Sequence, residues 1–192
     1  MEVWKICRAL NNPIRLKLLR MVMTSPKHKI NVLEACDALG LKKSLSSLYL
    51  KRLAEAGFLR VERKGKFVAC SAALGGRSKI ERLQTALKEL LSSKNGQNWT
   101  EPILTRVNAI SHHGRIHILR FIAENSDVMF NELSSGVGMP KTTVFRQLGV
   151  LVRAGFVAVN CENSLHSYRL APQKDLLSQV LLSFAVDVRF AN

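Results

Sequence analysis

The chain has 192 residues and carries 29 lysines and arginines against 14 aspartates and glutamates, a formal net charge of +15. This excess favours a polyanionic partner, namely DNA, RNA or an acidic membrane surface. No apolar stretch is long enough to cross a bilayer, the amino terminus does not resemble a secretion signal, and the four cysteines are scattered without a CxxC pair. We therefore expect no membrane segment and a reducing, cytoplasmic setting.

The first half predicts short helices followed by a β-hairpin. Asn12 and Pro13 are typical of a capped helix start. Gly40 predicts a turn into a further helix, and Gly57 predicts the left-handed residue that ends it. The predicted elements are helices at 2–10 and 13–23, a helix at 32–39 capped by Asn31, a helix between Gly40 and Gly57, a hairpin with a basic tip around Arg63-Lys64-Gly65-Lys66, and a helix at 79–92.

The second half repeats this pattern. Gly138 matches Gly40 and Gly155 matches Gly57, and both pairs are 98 residues apart, since 138 − 40 and 155 − 57 both give 98. The predicted elements are a helix capped by Thr100, a helix at 114–124, a helix capped by Asn131, a helix starting at Pro140, a hairpin over 156–159 and 166–170 with its tip at 162–164, and a last helix beginning at Pro172.

The repeat predicts a mainly α chain with small β-hairpins (α+β), organised as two tandem winged-helix domains. We place the first domain at 1–94, a linker at 95–99 and the second domain at 100–192. The charge is uneven, because residues 1–97 contain 20 basic and 7 acidic residues (+13) whereas residues 98–192 contain 9 and 7 (+2). Electrostatic attraction to a polyanion is therefore expected mainly in the first half.

Basic and hydroxyl side chains cluster on the helix after Gly40, on the first hairpin and on the helix after Pro140. Side chains of these types bind phosphates and base edges in protein–DNA complexes. The predicted DNA-binding residues are Lys42, Lys43, Ser44, Ser47, Tyr49, Lys51, Arg63, Lys64, Lys66, Lys141, Thr142, Thr143, Arg146 and Gln147.

Both halves resemble winged-helix repressors of the arsenic-repressor-like (ArsR) class. The resemblance is carried by the segments 9–19, 39–41, 50–59 and 63–68 in the first half and by 115–120, 142–148 and 153–157 in the second. Members of this class act as dimers joined through their terminal helices. The resemblance therefore implies a pseudo-two-fold dimer within one chain, joined by the helices at 2–10, 79–92, 99–111 and 173–190, with two reading helices about one DNA turn (~34 Å) apart. A further homodimer of whole chains is left open.

The first half departs from the class pattern in its reading helix. Ser46 stands where the class has a core valine, whereas the second half keeps Val144 at the matching position. We expect Leu45 to replace the missing valine, which requires a small rotation of the helix.

Metal binding and catalysis find little support in the sequence. Cys36 lacks a second cysteine nearby, and His112, His113 and His117 lack an obvious fourth ligand. No glycine-rich phosphate loop, HExxH motif or nucleophile elbow is present. We therefore expect no metal, no cofactor and no enzymatic activity.

The sequence thus predicts a cytoplasmic, nucleoid-associated transcription regulator that binds double-stranded DNA. It is expected to act as a repressor that reads a pseudo-palindromic operator with two winged helices. The main alternative is a winged-helix module that binds protein or RNA, and a second is a sensor of small molecules or redox state.

Overall fold

The computed structural model describes residues 2–26, 28–64, 67–73, 79–92, 99–162 and 165–186. The chain divides into two compact units. One contains Arg8–Leu104 and the other contains Glu2–Cys7 together with Thr105–Asn192. The domain limits 1–94 and 100–192 stay a prediction, and residues 95–98 of the proposed linker lie outside the described residues.

The two halves have the same order of elements. The first half contains α1 (Val3–Leu10), α2 (Pro13–Thr24), β1 (Lys29–Asn31), α3 (Val32–Leu39), α4 (Lys43–Glu55), β2 (Leu59–Lys64), β3 (Phe67–Ala72) and α5 (Lys79–Ser92). The second half contains α6 (Thr100–Ile110), α7 (His113–Asn125), β4 (Val128–Met129), α8 (Phe130–Gly136), α9 (Lys141–Arg153), β5 (Val157–Glu162), β6 (Leu165–Leu170) and α10 (Leu176–Val186). The chain is therefore mostly helical with small antiparallel sheets, as predicted, and this composition is consistent with winged helices.

Several predicted helix ends are confirmed by their capping bonds. The side chain of Asn12 accepts a hydrogen bond from the Arg15 amide at 3.0 Å, at the start of α2. Asn31 caps α3 in the same way, accepting from the Glu34 amide, while the Glu34 carboxylate accepts from the amide of Asn31. Gly57 has a φ of +87°, which supplies the left-handed residue after α4.

Two predicted helix starts in the second half are wrong. Asn131 was expected to precede α8 and cap it, but α8 begins at Phe130, so Asn131 lies inside the helix. The residue before the helix is Met129, and its amide donates a hydrogen bond to the Glu132 carboxylate. Helix α10 begins at Leu176 and not at Pro172, because Asp175 accepts a hydrogen bond from the Ser178 amide.

Each hairpin gains a third strand that the sequence did not predict. In the first sheet β1 pairs with β3, so that the order is β1-β3-β2, and in the second β4 pairs with β6, giving β4-β6-β5. All four strand pairings are antiparallel. Strand β1 comes directly before α3, and β4 comes directly before α8. Each of these strands therefore fixes the hairpin relative to the helix-turn-helix of its own unit.

The core of each unit is formed by the inner faces of its helices. In the first unit Leu19, Leu53 and Phe58 are fully buried, and in the second Leu119, Leu151 and Phe156 are fully buried. Burial of large apolar side chains is the main source of stability in domains of this size. The packing leaves one side of α4 and one side of α9 exposed.

Candidate nucleic-acid interface

The amino-terminal end of α4 carries exposed polar side chains. Lys42 is the residue that precedes the helix, and Lys43 is its first residue. Lys42, Lys43, Ser44 and Ser47 are all exposed. Among the described residues no side chain caps this helix end, so its first N–H groups have no side-chain acceptor there, and two exposed lysines lie beside them. A helix end of this kind attracts anions through both the N–H groups and the side-chain charges.

The buried side of α4 has the same register as that of α9. Ser46, Leu50 and Leu53 are buried in α4, and the residues 98 positions later, Val144, Leu148 and Leu151, are buried in α9. Leu45 is only half-buried. The predicted rotation of α4 is therefore wrong, because Ser46 itself occupies the core position and its hydroxyl has no hydrogen-bond partner among the described residues.

Tyr49 lies on the side of α4 that faces Arg15. The Arg15 guanidinium carbon is 5.9 Å from the centre of the Tyr49 ring, a cation–π contact. Arg15 also donates hydrogen bonds to the carbonyls of Ala9 and Arg8, at the end of α1. Tyr49 is therefore half-buried, and its ring is held within the unit.

The remaining candidates of the first unit are partly described. Lys51 is exposed and lies 3.9 Å from the Glu55 carboxylate, a surface ion pair that leaves its charge accessible. Arg63 is exposed on β2. The side chain of Lys64, and Lys66 and the hairpin tip around Gly65, lie outside the described residues.

In the second unit, α9 has an exposed polar end like that of α4. Lys141, Thr142 and Arg146 are exposed and Thr143 is half-buried. The Lys141 ammonium donates to the side-chain oxygen of Asn131 at 3.2 Å. This contact ties the first residue of α9 to α8, so the two helices of the helix-turn-helix are linked at the surface as well as in the core.

Gln147 lies in the interior of the second unit. It is 6% exposed, and its side-chain oxygen accepts a hydrogen bond from Arg115 at 2.8 Å. An amide that is buried and bonded in this way is not available to a base edge. We therefore leave Gln147 out of the proposed contact surface, although sequence composition placed it there.

The structure shows an arginine in each unit that ties two helices together. Arg115 donates to the carbonyls of Ala109 and Asn108 at the end of α6, as well as to Gln147 on α9. Arg15 makes the equivalent two backbone contacts 100 residues earlier, to the carbonyls of Ala9 and Arg8, since 109 − 9 and 108 − 8 both give 100. Burial lowers the pKa of the Arg115 guanidinium below its ordinary value. Its hydrogen bonds are therefore needed to offset the cost of burying the charge.

Sequence reasoning missed this function of the two arginines. The signal that identifies each arginine is its contact with a residue that lies 32 or 34 positions away (147 − 115 and 49 − 15). Because Gln147 and Tyr49 occupy matching positions in α9 and α4, each arginine fixes the helix that carries the DNA-binding candidates of its own unit.

The sequence analysis also missed two exposed apolar side chains. Phe145 on α9 is 69% exposed and Leu48 on α4 is 47% exposed. Both stand on the surface side of their helices, next to the polar candidates. Each of these two helices therefore exposes an apolar side chain beside its polar candidates.

The histidines and cysteines do not form a metal site in the described part of the chain. His113 stacks on His112 with ring centres 4.8 Å apart and meets His117 edge-on at 6.0 Å. Across residues 2–26, 28–64, 67–73, 79–92, 99–162 and 165–186, no group of three or more metal-ligating side chains is close enough to hold an ion. Burial raises the pKa of the Cys7 thiol to about 12, so this cysteine stays protonated.

Helices in the described ranges are too short or too polar to span a bilayer.

Residues 116–160 match the family of IclR helix-turn-helix domains. This range begins inside α7, includes α8 and α9, and ends in β5. The helix-turn-helix of the second unit therefore lies wholly within the matched range.

The chain is also similar to two curated proteins from two strains of Mycobacterium tuberculosis. Each is described as an uncharacterized HTH-type transcriptional regulator, and each is 37% identical to this chain over 62 residues. The similarity covers 32% of this chain and 54% of each relative. The chain thus spans about half the length of the curated relatives it matches.

Proposed function

We propose that this protein is a sequence-specific DNA-binding transcription regulator. The observation that carries the proposal is the exposed, uncapped, lysine-bearing amino-terminal end of α4 in a helix-turn-helix unit. The similarity to helix-turn-helix regulators supports it independently. In such proteins the second helix of the motif enters the major groove with its amino-terminal residues against the bases.

In this proposal the two units have different tasks. The first half of the chain has a charge of +13 (20 basic minus 7 acidic residues) and supplies most of the attraction to phosphates. Lys42, Lys43 and Arg63 bind phosphates, and Ser44 and Ser47 contact base edges or the sugar-phosphate backbone. The half-buried ring of Tyr49 supports the helix from behind.

The second unit adds a smaller polar surface. Lys141, Thr142, Thr143 and Arg146 form it, and the guanidinium of Arg146 has the donor geometry that binds guanine in the major groove. The charge of residues 98–192 is only +2 (9 basic minus 7 acidic residues), so the second half of the chain contributes more to sequence preference than to overall attraction.

The repeated order of elements supports a tandem duplication. We propose that the duplicated units act as an ArsR-like pseudo-dimer within one chain, reading a pseudo-palindromic operator and repressing transcription by occupying it. The protein then works in the cytoplasm on the nucleoid. A homodimer of whole chains would double the number of reading helices.

The direct experiment is selection of bound DNA from a random pool. We expect the wild type to recover a two-part site and the double variant Lys42→Glu/Lys43→Glu to lose it. The matched control is Lys17→Glu/Lys88→Glu, which makes the same change in net charge at exposed lysines of α2 and α5. Loss of the site in both variants would show that only overall charge matters.

A second candidate function is a module that binds protein or RNA. The exposed Phe145 and Leu48 favour it, because exposed apolar side chains are typical of protein contact surfaces. Recovery of no consensus from the random pool, together with binding that depends little on salt, would favour this candidate.

A further inference from the structure

Helix α9 exposes one face that carries an aromatic ring among polar groups. Thr142, Phe145, Arg146 and Gly149 follow one another at helical spacings of three, one and three residues, which places them on one side of the helix. The opposite side is buried in the unit through Val144, Leu148 and Leu151. The exposed face is therefore the one that meets a partner of α9.

Phe145 is the largest apolar group on this face. It is 69% exposed, and its contact with Phe130 of α8 is edge-on, with ring centres 6.3 Å apart and planes at 80°. This contact orients the ring without covering it. A preoriented and exposed aromatic ring is suited to an apolar partner group.

Gly149, one turn further along the same face, is half-buried and has no side chain to cover the helix backbone. Glycine inside a helix is less stable than alanine. Packing against the described residues of the unit does not require it, because among them an added Cβ would meet only the Arg153 guanidinium, at 4.0 Å. The missing side chain therefore gives a partner room to approach the axis of α9 closely.

We propose that Phe145 packs against the C5-methyl group of a thymine in the major groove. The missing side chain of Gly149 leaves room for the wall of the groove beside that contact. This inference rests on the proposed function. Thymine is the base that presents a methyl group in the major groove, and phenylalanine is one of the side chains that contacts it. The exposed cations Lys141 and Arg146 on the same helix match the negative charge of DNA. The half-site of the second unit therefore requires thymine at one position.

The test uses the full chain and the DNA selected from the random pool. Each thymine of the selected site is replaced singly by deoxyuridine, which pairs with adenine in the same way but lacks the methyl group. Fluorescence anisotropy measures the Kd. We expect the wild type to bind about fourfold more weakly at one position, the loss expected for one buried methyl group. Phe145→Ala should bind thymine and deoxyuridine equally.

Two further variants sharpen the result. Ser47→Ala changes the matching position of α4 (145 − 98 = 47) and should keep the fourfold ratio. Gly149→Ala should raise the melting temperature, because alanine favours the helix, and yet weaken binding to the selected site at least tenfold. A more stable variant with weaker binding cannot be explained by loss of folding.

Four outcomes would overturn the inference. The first is a selected site at which no deoxyuridine weakens wild-type binding; this result leaves the proposed function unaffected. The second is a Phe145→Ala variant that keeps the fourfold ratio. The third is a Phe145→Ala variant with a changed oligomeric state and unchanged affinity for DNA, which would assign the ring to a contact between copies. The fourth is failure of the wild type to select any DNA, which overturns the proposed function as well.

Discussion

Replacing Arg115 by methionine should destabilise the second unit strongly. The guanidinium donates to the Ala109 carbonyl and to the Gln147 side-chain oxygen, each at 2.8 Å, and Ala109 and Gln147 are 0% and 6% exposed. Methionine fills a similar volume but leaves both acceptors buried without a donor. A buried acceptor that is left without a donor lowers the free energy of unfolding by on the order of 1.5 kcal/mol. We therefore expect a loss of about 3 kcal/mol in the free energy of unfolding.

Urea unfolding of a single-tryptophan protein measures this loss. The sequence has two tryptophans, and Trp4 lies 6.2 Å from His113 within the second unit, so the background variant Trp99→Phe makes fluorescence report on that unit. With a slope of ~2 kcal/mol per M urea, the unfolding midpoint should fall by about 1.5 M. The double variant with Gln147→Met should cost less than the sum of the two single changes.

The control for this prediction is Arg153→Met, at an exposed arginine of α9, the helix that carries Gln147. It should move the midpoint little, because surface substitutions usually change stability by less than ~0.5 kcal/mol. If Arg115→Met shifted the midpoint no more than this control, the arginine would not hold α6 and α9 together, and the reasoning would be refuted.

Three further predictions concern stability. Ser46→Ala should stabilise the first unit by about 1 kcal/mol, because it removes a buried hydroxyl without a partner from α4 and improves helix propensity; a lower melting temperature would contradict this. Ser126→Gly should stabilise by ~1 kcal/mol, since Ser126 has φ 60° and ψ −131°, a region suited to glycine; an unchanged urea midpoint would argue against the strain. Burial alone would raise the pKa of Asp175, but hydrogen bonds from Ser178 and the charge of Arg106 hold this pKa below its ordinary value of 3.8. The stabilisation is therefore present at neutral pH and lost as the pH falls below 3.8. Asparagine keeps the capping bond but loses the charge, and solvent screens this partly exposed pair, so Asp175→Asn should cost about 0.5 kcal/mol at pH 7 and much less at pH 3, as unfolding at the two pH values would show.

Local signals in the sequence were sufficient for much of the fold. Asn12 and Asn31 cap helices because their side chains reach amides three residues ahead. Gly40 and Gly57 end helices because their positive φ angles are free of strain in glycine. Each of these features depends on neighbours within a few residues, so the pattern alone identifies it.

Features that depend on distant partners could not be predicted. Strand β1 has three residues and forms only because β3 offers it a pairing edge about 40 residues later. Glutamine is usually found at the surface. Gln147 is buried because its side-chain oxygen accepts a hydrogen bond from Arg115 on another helix. The cap of α8 was misplaced because Glu132 supplies it from within the helix, although Asn131 is the better capping residue type.

The sequence pointed to the polar side chains of the candidate site and did not single out the exposed apolar ones. Lysines and hydroxyl residues at a helix start are typical of phosphate binding wherever they occur. Phe145 was assigned no function, because an apolar residue in an amphipathic helix is expected in the core until burial is measured.

The most direct test of the central claim is the salt dependence of binding to the selected DNA site. The logarithm of the Kd is measured against the logarithm of the salt concentration for the wild type and for Lys42→Ala/Lys43→Ala. If both lysines at the start of α4 bind phosphates, the slope of the variant should be smaller in magnitude by about 1.8, because each phosphate contact contributes about 0.9. An unchanged slope and affinity in the variant would show that α4 does not meet DNA.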